Sequence, residues 1–287
     1  MAAFALLAAS CGQELGNDVT ASNESEKAQV TVHLTGFTAT QEDFPTTRAA
    51  EDVAKYTGIN AITLAFYKTD GTEAYKSTQA KGDADFGEFS LSLPMGTYTM
   101  VALANQTKDG SPFVYTSATE AAYTGEHVYE TFTYTQSVTI SNTDPVDISA
   151  TLSRVISMLT VISTDGKTDN VTNVRMTLSA GGKSFNPTTG LAITNTGFVN
   201  TVGNSANAGS TSTSSSALFL ATDEQTMDVT IETLDADGNT LFSQKVENVP
   251  FKRNRRTTLK GAMYTNEALS GTFQVETAWL PEVEIPF

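Results

Sequence analysis

Residues 62–71 read Ile-Thr-Leu-Ala-Phe-Tyr-Lys-Thr-Asp-Gly, and this stretch predicts the type of fold. Ile62, Leu64 and Phe66 alternate with smaller or more polar residues, which is the period-two pattern of a half-buried strand. The Asp-Gly pair that follows favours a tight hairpin turn, because such a turn needs a positive φ that glycine adopts without strain. The stretch therefore predicts a strand that turns directly into a second strand.

The same pattern recurs along most of the chain. Short threonine-rich runs with alternating apolar residues, bounded by turn residues, lie at positions 30–35, 89–93, 97–103, 131–134, 138–140, 227–231 and 272–275. Further Asp-Gly pairs at 165–166 and 237–238 fall between such runs and predict hairpin turns. The sequence therefore predicts an all-β chain built of sandwiches.

Two segments depart from this pattern. Residues 49–56 are alanine-rich and predict a short helix that ends at Gly58. Residues 200–216 are nearly all Gly, Ser, Asn, Thr and Ala, so they predict a mobile surface loop.

An internal match and the length of the chain point to two domains. Residues 62–71 align without gaps on residues 229–238, Val-Thr-Ile-Glu-Thr-Leu-Asp-Ala-Asp-Gly, in the other half of the chain. Duplication would give this match, and so would the convergence of two unrelated hairpins. Length by itself favours two domains of ordinary size over one.

The domain boundary is predicted from the order of the strands. A strand at 146–152 reads as the last of the first domain, and a new apolar run begins at 155–162. We therefore place the boundary near Ser153, with one β-sandwich domain at 29–152 and a second at 153–287.

The chain opens with an apolar run that ends in small residues directly before its only cysteine, Cys11. Signal peptidases recognise such runs, so residues 1–10 predict a signal peptide and Cys11 predicts a lipid-accepting membrane anchor. The alternative is a buried first strand with an ordinary free cysteine, and the absence of Lys or Arg before the run leaves the true translation start open. Residues 11–28 are acidic and polar, and they predict a solvated tether behind the anchor.

Composition restricts the partners that the chain can have. A net charge of -15 disfavours nucleic acid and anionic membrane surfaces. Past the first ten residues no apolar run approaches the roughly 18 residues that cross a bilayer, so attachment is expected through the lipid. A single cysteine excludes an intramolecular disulfide, and the fold must be held by its core.

A search for catalytic groups finds little. Neither His33 nor His127 has a nucleophile or a second metal ligand at the sequence spacing that is typical of a catalytic or metal site. Residues 235–239 resemble the start of a calcium loop, yet position twelve of that loop is Val246 rather than glutamate, and a hairpin turn is the preferred interpretation. No phosphate-binding or thiol-metal motif is present, and no local context singles out a carboxylate pair. We therefore expect no catalytic residue, no metal site and no cofactor.

The aromatic residues allow two interpretations. Tyr123, Tyr129, Phe132 and Tyr134 lie within twelve positions, and aromatic faces on a sandwich can stack on sugars or on partner side chains. Packing within the sheet is the alternative, because Phe132 and Tyr134 fall on one face of a strand.

The order of several features resembles the fimbrillin superfamily of Bacteroidales, with its FimA-like and Mfa-like subunits of type V pili. Residues 7–11, Leu-Ala-Ala-Ser-Cys, look like a lipobox, and an acidic tether and a first strand follow. The linker that contains Arg48 and the segments 152–161 and 249–261 are also similar to the family. The resemblance implies two tandem transthyretin-like β-sandwich domains after a lipoprotein signal and a flexible tether.

In that family, polymerising members are lipoprotein precursors that a surface protease cuts after an arginine. The resemblance implies that Arg48 is the processing site and that the first strand, with Val30, Val32 and Leu34, is displaced by the cut. A strand from a neighbouring subunit then fills the groove. The residues allow this independently, since a lost strand leaves unpaired backbone groups and apolar pockets that an added strand repairs.

The candidate donor strand is the terminal segment, 279–287. Trp279, Val283, Ile285 and Phe287 fall on one face of an extended strand and can fill a groove with alternate side chains. A self-complementing last strand is equally compatible with this pattern.

The sequence therefore predicts a structural and adhesive subunit of a cell-surface fimbria at the outer membrane. Its expected partners are other fimbrial subunits, the membrane through the lipid, and host or bacterial surface ligands, with no role as an enzyme. Its place as stalk, tip or anchor stays open. The alternative is a surface glycan-binding lipoprotein of a polysaccharide-uptake system, with Tyr129 or Trp279 as a sugar-stacking residue.

Overall fold

A computed structural model describes residues 26–38, 53–108, 110–264 and 273–279. Within these ranges the chain forms nineteen strands and no helix. The strands are β1 (Lys27–Thr38), β2 (Ala61–Lys68), β3 (Glu73–Ala80), β4 (Glu88–Pro94), β5 (Gly96–Asn105), β6 (Phe113–Ser117), β7 (Glu120–Tyr123), β8 (Thr131–Ile140), β9 (Val146–Arg154), β10 (Ser157–Ser163), β11 (Asn173–Leu178), β12 (Ser184–Asn186), β13 (Leu191–Ala192), β14 (Phe198–Gly203), β15 (Thr213–Leu218), β16 (Glu224–Leu234), β17 (Thr240–Lys252), β18 (Arg255–Gly261) and β19 (Gln274–Trp279).

The first sandwich is one seven-stranded sheet that folds over on itself. Its strand order is β3-β2-β5-β8-β9-β1-β4, and β8 shares two residue pairs with β9. Beyond those pairs the two parts of the sheet diverge, and their apolar faces meet in one core. That core includes Val30, Val32, Leu34, Ile62, Leu64, Phe66, Phe89, Leu91, Met100, Ala102, Ile148 and Leu152.

The second sandwich has two four-stranded sheets with a core of their own. Their strand orders are β15-β10-β18-β19 and β14-β11-β16-β17. Buried residues from both sheets, among them Leu159, Met176, Val229, Ile231 and Leu259, form a single apolar cluster. The prediction of an all-β chain of two tandem sandwiches is confirmed.

A fourth sheet, which we call the joining sheet, has the order β13-β12-β7-β6. Its β7 comes from before Ser153 and its β12 from after it, and the two pair through Ala121 and Phe185. Phe185 stacks on Phe219 with ring centroids 4.2 Å apart, and both lie in a separate buried cluster with Tyr123. The two halves of the chain therefore share a sheet and a core, and the boundary at Ser153 stays a prediction.

Two of the three Asp-Gly turns form as predicted. Gly71 and Gly238 have φ values of 82° and 83° and connect β2 to β3 and β16 to β17. The prediction for residues 165–166 is wrong, because they lie between β10 and β11, which belong to different sheets. There the Asp165 carboxylate accepts hydrogen bonds from the backbone N–H groups of Met263 and Tyr264, both at 2.8 Å.

Three further predictions need correction. The runs at 131–134 and 138–140 form the single strand β8. The described part of the predicted helix, 53–56, contains turns and no helix, and its carbonyl groups accept hydrogen bonds from a lysine instead of from the next helical turn. The predicted loop at 200–216 begins in strand β14 and ends in strand β15, and Nδ2 of Asn200 donates to Oγ of Ser216 between the two sheets.

Candidate functional site

The first strand lies inside its sheet rather than at the edge. Strand β1 pairs in antiparallel fashion with β4 and in parallel fashion with β9. On its inner face Val30 and Val32 are fully buried and Leu34 is 4% exposed. Removal of β1 would therefore leave two unpaired strand edges beside an open apolar groove.

On the outer face of β1, His33 joins both neighbouring strands. Its Nδ1 contacts Oε2 of Glu88 on β4, and its Nε2 lies 3.0 Å from Oδ1 of Asp147 on β9. The sequence placed His33 on the polar side of a strand, and it holds no signal for this contact, since both carboxylates are distant in sequence.

Phe37, near the end of β1, belongs to a cluster of three aromatic rings. Its ring centroid lies 5.0 Å from that of Tyr56 and 4.5 Å from that of Phe132. The Arg154 guanidinium carbon lies 5.2 Å from the centroid of Phe132. The end of the first strand is thus packed where the two sandwiches meet.

Arg154 connects three segments at this point. Its Nε donates to Oε2 of Glu130 at 2.9 Å, its Nη2 to the Tyr56 hydroxyl at 3.2 Å and its Nη1 to Oδ1 of Asn254 at 3.2 Å. Burial alone would lower the pKa of Arg154, but the charge of Glu130 and the contacts with Tyr56 outweigh it and raise that pKa. Arg154 therefore stays charged and ties the first sandwich to the β17–β18 turn.

The turn that follows the Arg48 linker is held by Lys81. Its ammonium group donates to the carbonyls of Val53, Ala54 and Tyr56 at 3.1, 2.7 and 2.9 Å. Val53 is 2% exposed, so the turn is also buried on its apolar side. Lys81 and apolar burial therefore hold the turn from Val53 to Tyr56 in place.

Several predicted residues lie outside the described part of the chain. These are Cys11, Arg48, Val283, Ile285 and Phe287. Trp279 is the last residue of β19, whose backbone pairs with β18 opposite Arg255. The strand that contains Trp279 therefore lies along one sheet of its own second sandwich.

The four clustered aromatic residues do not form one binding face. Phe132 is buried in the core of the first sandwich and Tyr123 in the core at the joining sheet. Tyr134 is half-buried and donates to Oε1 of Gln136 at 3.0 Å. Tyr129 is also half-buried, and its ring centroid lies 6.1 Å from that of His127.

Two cavities lie where the sandwiches meet. One, of about 420 Å³, is lined by residues that include Gln106, Lys108, His127, Tyr129 and Thr201, and we call it the Tyr129 cavity. The other, of about 450 Å³, is lined by Tyr134, Arg154, Thr188, Lys252 and Arg253 among others. In the second, Arg253 pairs with Asp223 at 2.8 Å and Lys252 with Glu224 at 2.9 Å, so its cations already have acidic partners.

The described residues hold no group of three or more His, Cys, Asp or Glu side chains placed to bind a metal ion. The segment that resembled a calcium loop is the turn between β16 and β17, as the hairpin interpretation predicted. Oδ1 of Asp235 accepts the backbone N–H groups of Asp237 and Asn239, and the bonds from Asn239 lower the pKa of Asp235. Among the described ranges, no helix has the length and apolar character to span a membrane.

A search of the curated proteins found no match. Among solved structures, the fimbrial anchor protein Mfa2 from Porphyromonas gingivalis is similar with a TM-score of 0.54 and 12% identity, over 88% of this chain and 98% of that one. A candidate adhesin from Bacteroides ovatus has a TM-score of 0.53 and 10% identity, over 85% and 88%. A candidate polysaccharide-binding protein from Bacteroides thetaiotaomicron has a TM-score of 0.51 and 9% identity, over 90% and 98%.

These likenesses show that the chain has the fold of Mfa-like fimbrial proteins, and they confirm the resemblance to the fimbrillin superfamily at the level of the fold. A match to a family model carries the identification further. It extends over residues 23–283, which is nearly the whole chain. The protein is therefore a member of the family of unknown function DUF6562.

Proposed function

We propose that the protein is a structural and adhesive subunit of a cell-surface fimbria, which assembles by strand addition. The observation that carries the proposal is the position of β1, which fills the groove between β4 and β9 as a single separable strand. The fold shared with the fimbrial anchor protein Mfa2 and with candidate adhesins, over most of each chain, supports the same role. This role needs no catalytic group.

Strand addition repairs what the loss of β1 would expose. Burial of one Val or Leu side chain stabilises by about 1.5–3 kcal/mol, so Val30, Val32 and Leu34 together make an empty groove costly. An incoming strand with alternating apolar side chains would fill the same pockets and would pair with both strand edges. The proposed donor is segment 279–287 of a neighbouring subunit, with Val283, Ile285 and Phe287 directed into the groove. Trp279 would leave its pairing opposite Arg255 to enter the groove with them.

Export and processing complete the proposal. Cys11 would carry the lipid that brings the chain to the outer membrane, and a cut at Arg48 would release β1. The cut would leave four residues before Val53, where the chain is held by Lys81. The new end would therefore be short. The partners would be other fimbrial subunits and surface ligands.

Limited digestion with an arginine-specific protease tests this proposal. We expect one cut, at Arg48, and a trimmed chain that forms a ladder of oligomers on a native gel. The variant Arg48→Gln should stay uncut and monomeric, and Ile285→Asp should be cut without forming the ladder. An intact Arg48, or a trimmed wild-type chain that remains monomeric, would contradict assembly by strand addition.

A surface glycan-binding lipoprotein of a polysaccharide-uptake system is the second candidate. It is favoured by the fold shared with a candidate polysaccharide-binding protein and by the cavity beside Tyr129. This function needs no cut at Arg48, so it predicts a chain that keeps its lipid, and a chain that stays monomeric even after an added protease has trimmed it. The digestion experiment therefore separates the two candidates.

A further inference from the structure

The Tyr129 cavity is walled by both halves of the chain. Gln106, Lys108 and residues 127–130 supply one wall, while β10, β14 and β15 supply the other. Its volume of about 420 Å³ falls within the roughly 300–1,000 Å³ that is typical of small-ligand sites. It lies apart from the groove of β1, so a ligand bound there would not compete with strand addition.

Backbone contacts hold the first wall in place. The backbone N–H of Gln106 donates to the carbonyl of Glu130 at 2.9 Å, and the Tyr123 hydroxyl donates to the carbonyl of Gln106 at 2.9 Å. The Ser111 hydroxyl donates to the carbonyl of His127 at 2.7 Å. The backbone of this wall is therefore held in place before any ligand arrives, which reduces the entropy cost of binding.

Several polar side chains of the cavity have donor or acceptor atoms that bond to no other described residue. Within the described residues, the side chains of Gln106, His127 and Thr201 make no hydrogen bond, and all three are half-buried. Asn200 is 2% exposed, and its Nδ2 donates to Oγ of Ser216 at 2.7 Å. Its Oδ1 has no partner among the described residues. An amide, an imidazole and a hydroxyl thus line one small volume, and each can both donate and accept.

The same cavity offers apolar surface beside these groups. The ring of Tyr129 lies with its edge toward Tyr123, with centroids 5.9 Å apart, and Lys108 Nζ lies 5.2 Å from its centroid. Met158 and Val202 add aliphatic surface to the lining. A ligand that fits must therefore combine hydroxyl groups with exposed C–H surface.

We propose that the Tyr129 cavity binds a neutral sugar unit of an oligosaccharide. Sugar hydroxyls donate and accept, as Gln106, His127 and Thr201 require, and the C–H face of a pyranose ring packs on an aromatic side chain. An acidic ligand fits less well, because the one lysine of the lining, Lys108, already lies over the Tyr129 ring. This inference names a ligand class for the adhesive part of the proposed function and does not depend on polymerisation.

The test uses the intact, uncleaved chain and saturation-transfer NMR with four neutral trisaccharides: maltotriose, cellotriose, mannotriose and N-acetylchitotriose. We expect transfer to at least one of them and weak transfer to the charged comparison, sialyllactose. For the best ligand, Tyr129→Ala and Gln106→Ala should each weaken binding about tenfold, the equivalent of one stacking or hydrogen-bonding contact.

Tyr134→Ala is the matched control, because Tyr134 is a half-buried tyrosine of the other cavity, and it should leave affinity unchanged. The Gln106 side chain makes no hydrogen bond within the described residues, so Gln106→Ala keeps the test valid if Tyr129→Ala folds poorly. Transfer to none of the four trisaccharides would overturn the proposal. So would a Gln106→Ala variant that binds as tightly as the wild type. If the trimmed chain forms no ladder of oligomers, this result would not change, because the binding experiment uses the uncleaved monomer.

Discussion

Single side chains join segments of this protein that are far apart in the sequence. Arg154 reaches Tyr56, Glu130 and Asn254, and His33 reaches a carboxylate on each strand beside its own. Arg154 contributes to specificity, because its buried charge is tolerated only where its partners are in place. Of these two residues, Arg154 is the one whose contacts reach both sandwiches.

Arg154→Met should lower the free energy of unfolding by about 3 kcal/mol, because the arginine side chain is only 9% exposed and its loss removes the bonds to Glu130, Tyr56 and Asn254. Urea unfolding measures this change. The double variant Arg154→Met with Glu130→Gln should recover part of the loss, since no unpaired charge remains. Arg175→Met removes a more exposed pair and should cost no more than about 1 kcal/mol. Equal losses for the two arginine variants would contradict this account.

The pair of Arg175 and Glu232 should give stability a defined pH dependence. The hydrogen bonds from Arg175 lower the pKa of Glu232 below its usual value of 4.5. A lowered pKa in the folded state means that the contribution is complete above pH 4.5 and is lost as pH falls through the lowered pKa. Glu232→Gln should therefore reduce the free energy of unfolding at pH 7 and flatten its decline in acid. Glu247 is 65% exposed and pairs with Lys245, so Glu247→Gln should reduce the free energy of unfolding at pH 7 by less than Glu232→Gln does.

At the level of elements, β1 is the strand whose role is most specific. It brings three buried aliphatic side chains into the first core and pairs with a neighbour on each side. Strands β4 and β9 run in opposite directions, since β1 is antiparallel to the first and parallel to the second. A strand that replaced β1 would therefore meet one parallel and one antiparallel edge whichever way it ran. The groove therefore restricts side-chain spacing more than strand direction.

Val32→Ala should lower the free energy of unfolding of the uncleaved chain by about 2 kcal/mol, because it leaves a small void in a fully buried site. Thr31→Ala, the adjacent outward-facing position, should change it by less than about 0.5 kcal/mol. Chemical denaturation of both variants under the same conditions tests the difference. A larger loss for the Thr31 variant would mean that the outer face of β1 is covered.

For the molecule as a whole, the joining sheet decides how the sandwiches behave. Strand β7 from the first half pairs with β12 from the second, and Phe185 and Phe219 fill the cluster between them. Two domains connected by a linker alone would unfold separately, whereas a shared sheet and core should couple them. The Tyr129 cavity lies at the same junction and depends on that coupling.

The wild-type chain should therefore unfold in a single calorimetric transition. Phe185→Ala should separate it into two, because it removes a fully buried ring from the junction at a cost of about 3–5 kcal/mol. Val114→Ala, which alters an exposed residue of the joining sheet, should keep the single transition. Two transitions in the wild type would show that the halves are independent.

Strands with one apolar face were predictable, and strands without one were not. Alternation marked β2, β4 and β5, whereas β3 has few apolar residues and lies at the edge of its sheet. Strand β15 contains three consecutive serines, yet Ser214 and Ser216 are buried. Composition suggested a loop there, because serine shows no preference for a sheet until neighbouring strands satisfy its hydroxyl group.

The sequence by itself determined the fold class, the hairpins at Gly71 and Gly238, and the expectation that β1 has a buried face. These follow from local rules, since side chains alternate across a strand and tight turns need a positive φ. Only the tertiary structure decided that β1 lies between β4 and β9, that His33 and Arg154 find their partners, and that Tyr129 lines a cavity. Each of these depends on which distant strands pair and in which register, and local patterns do not encode that choice.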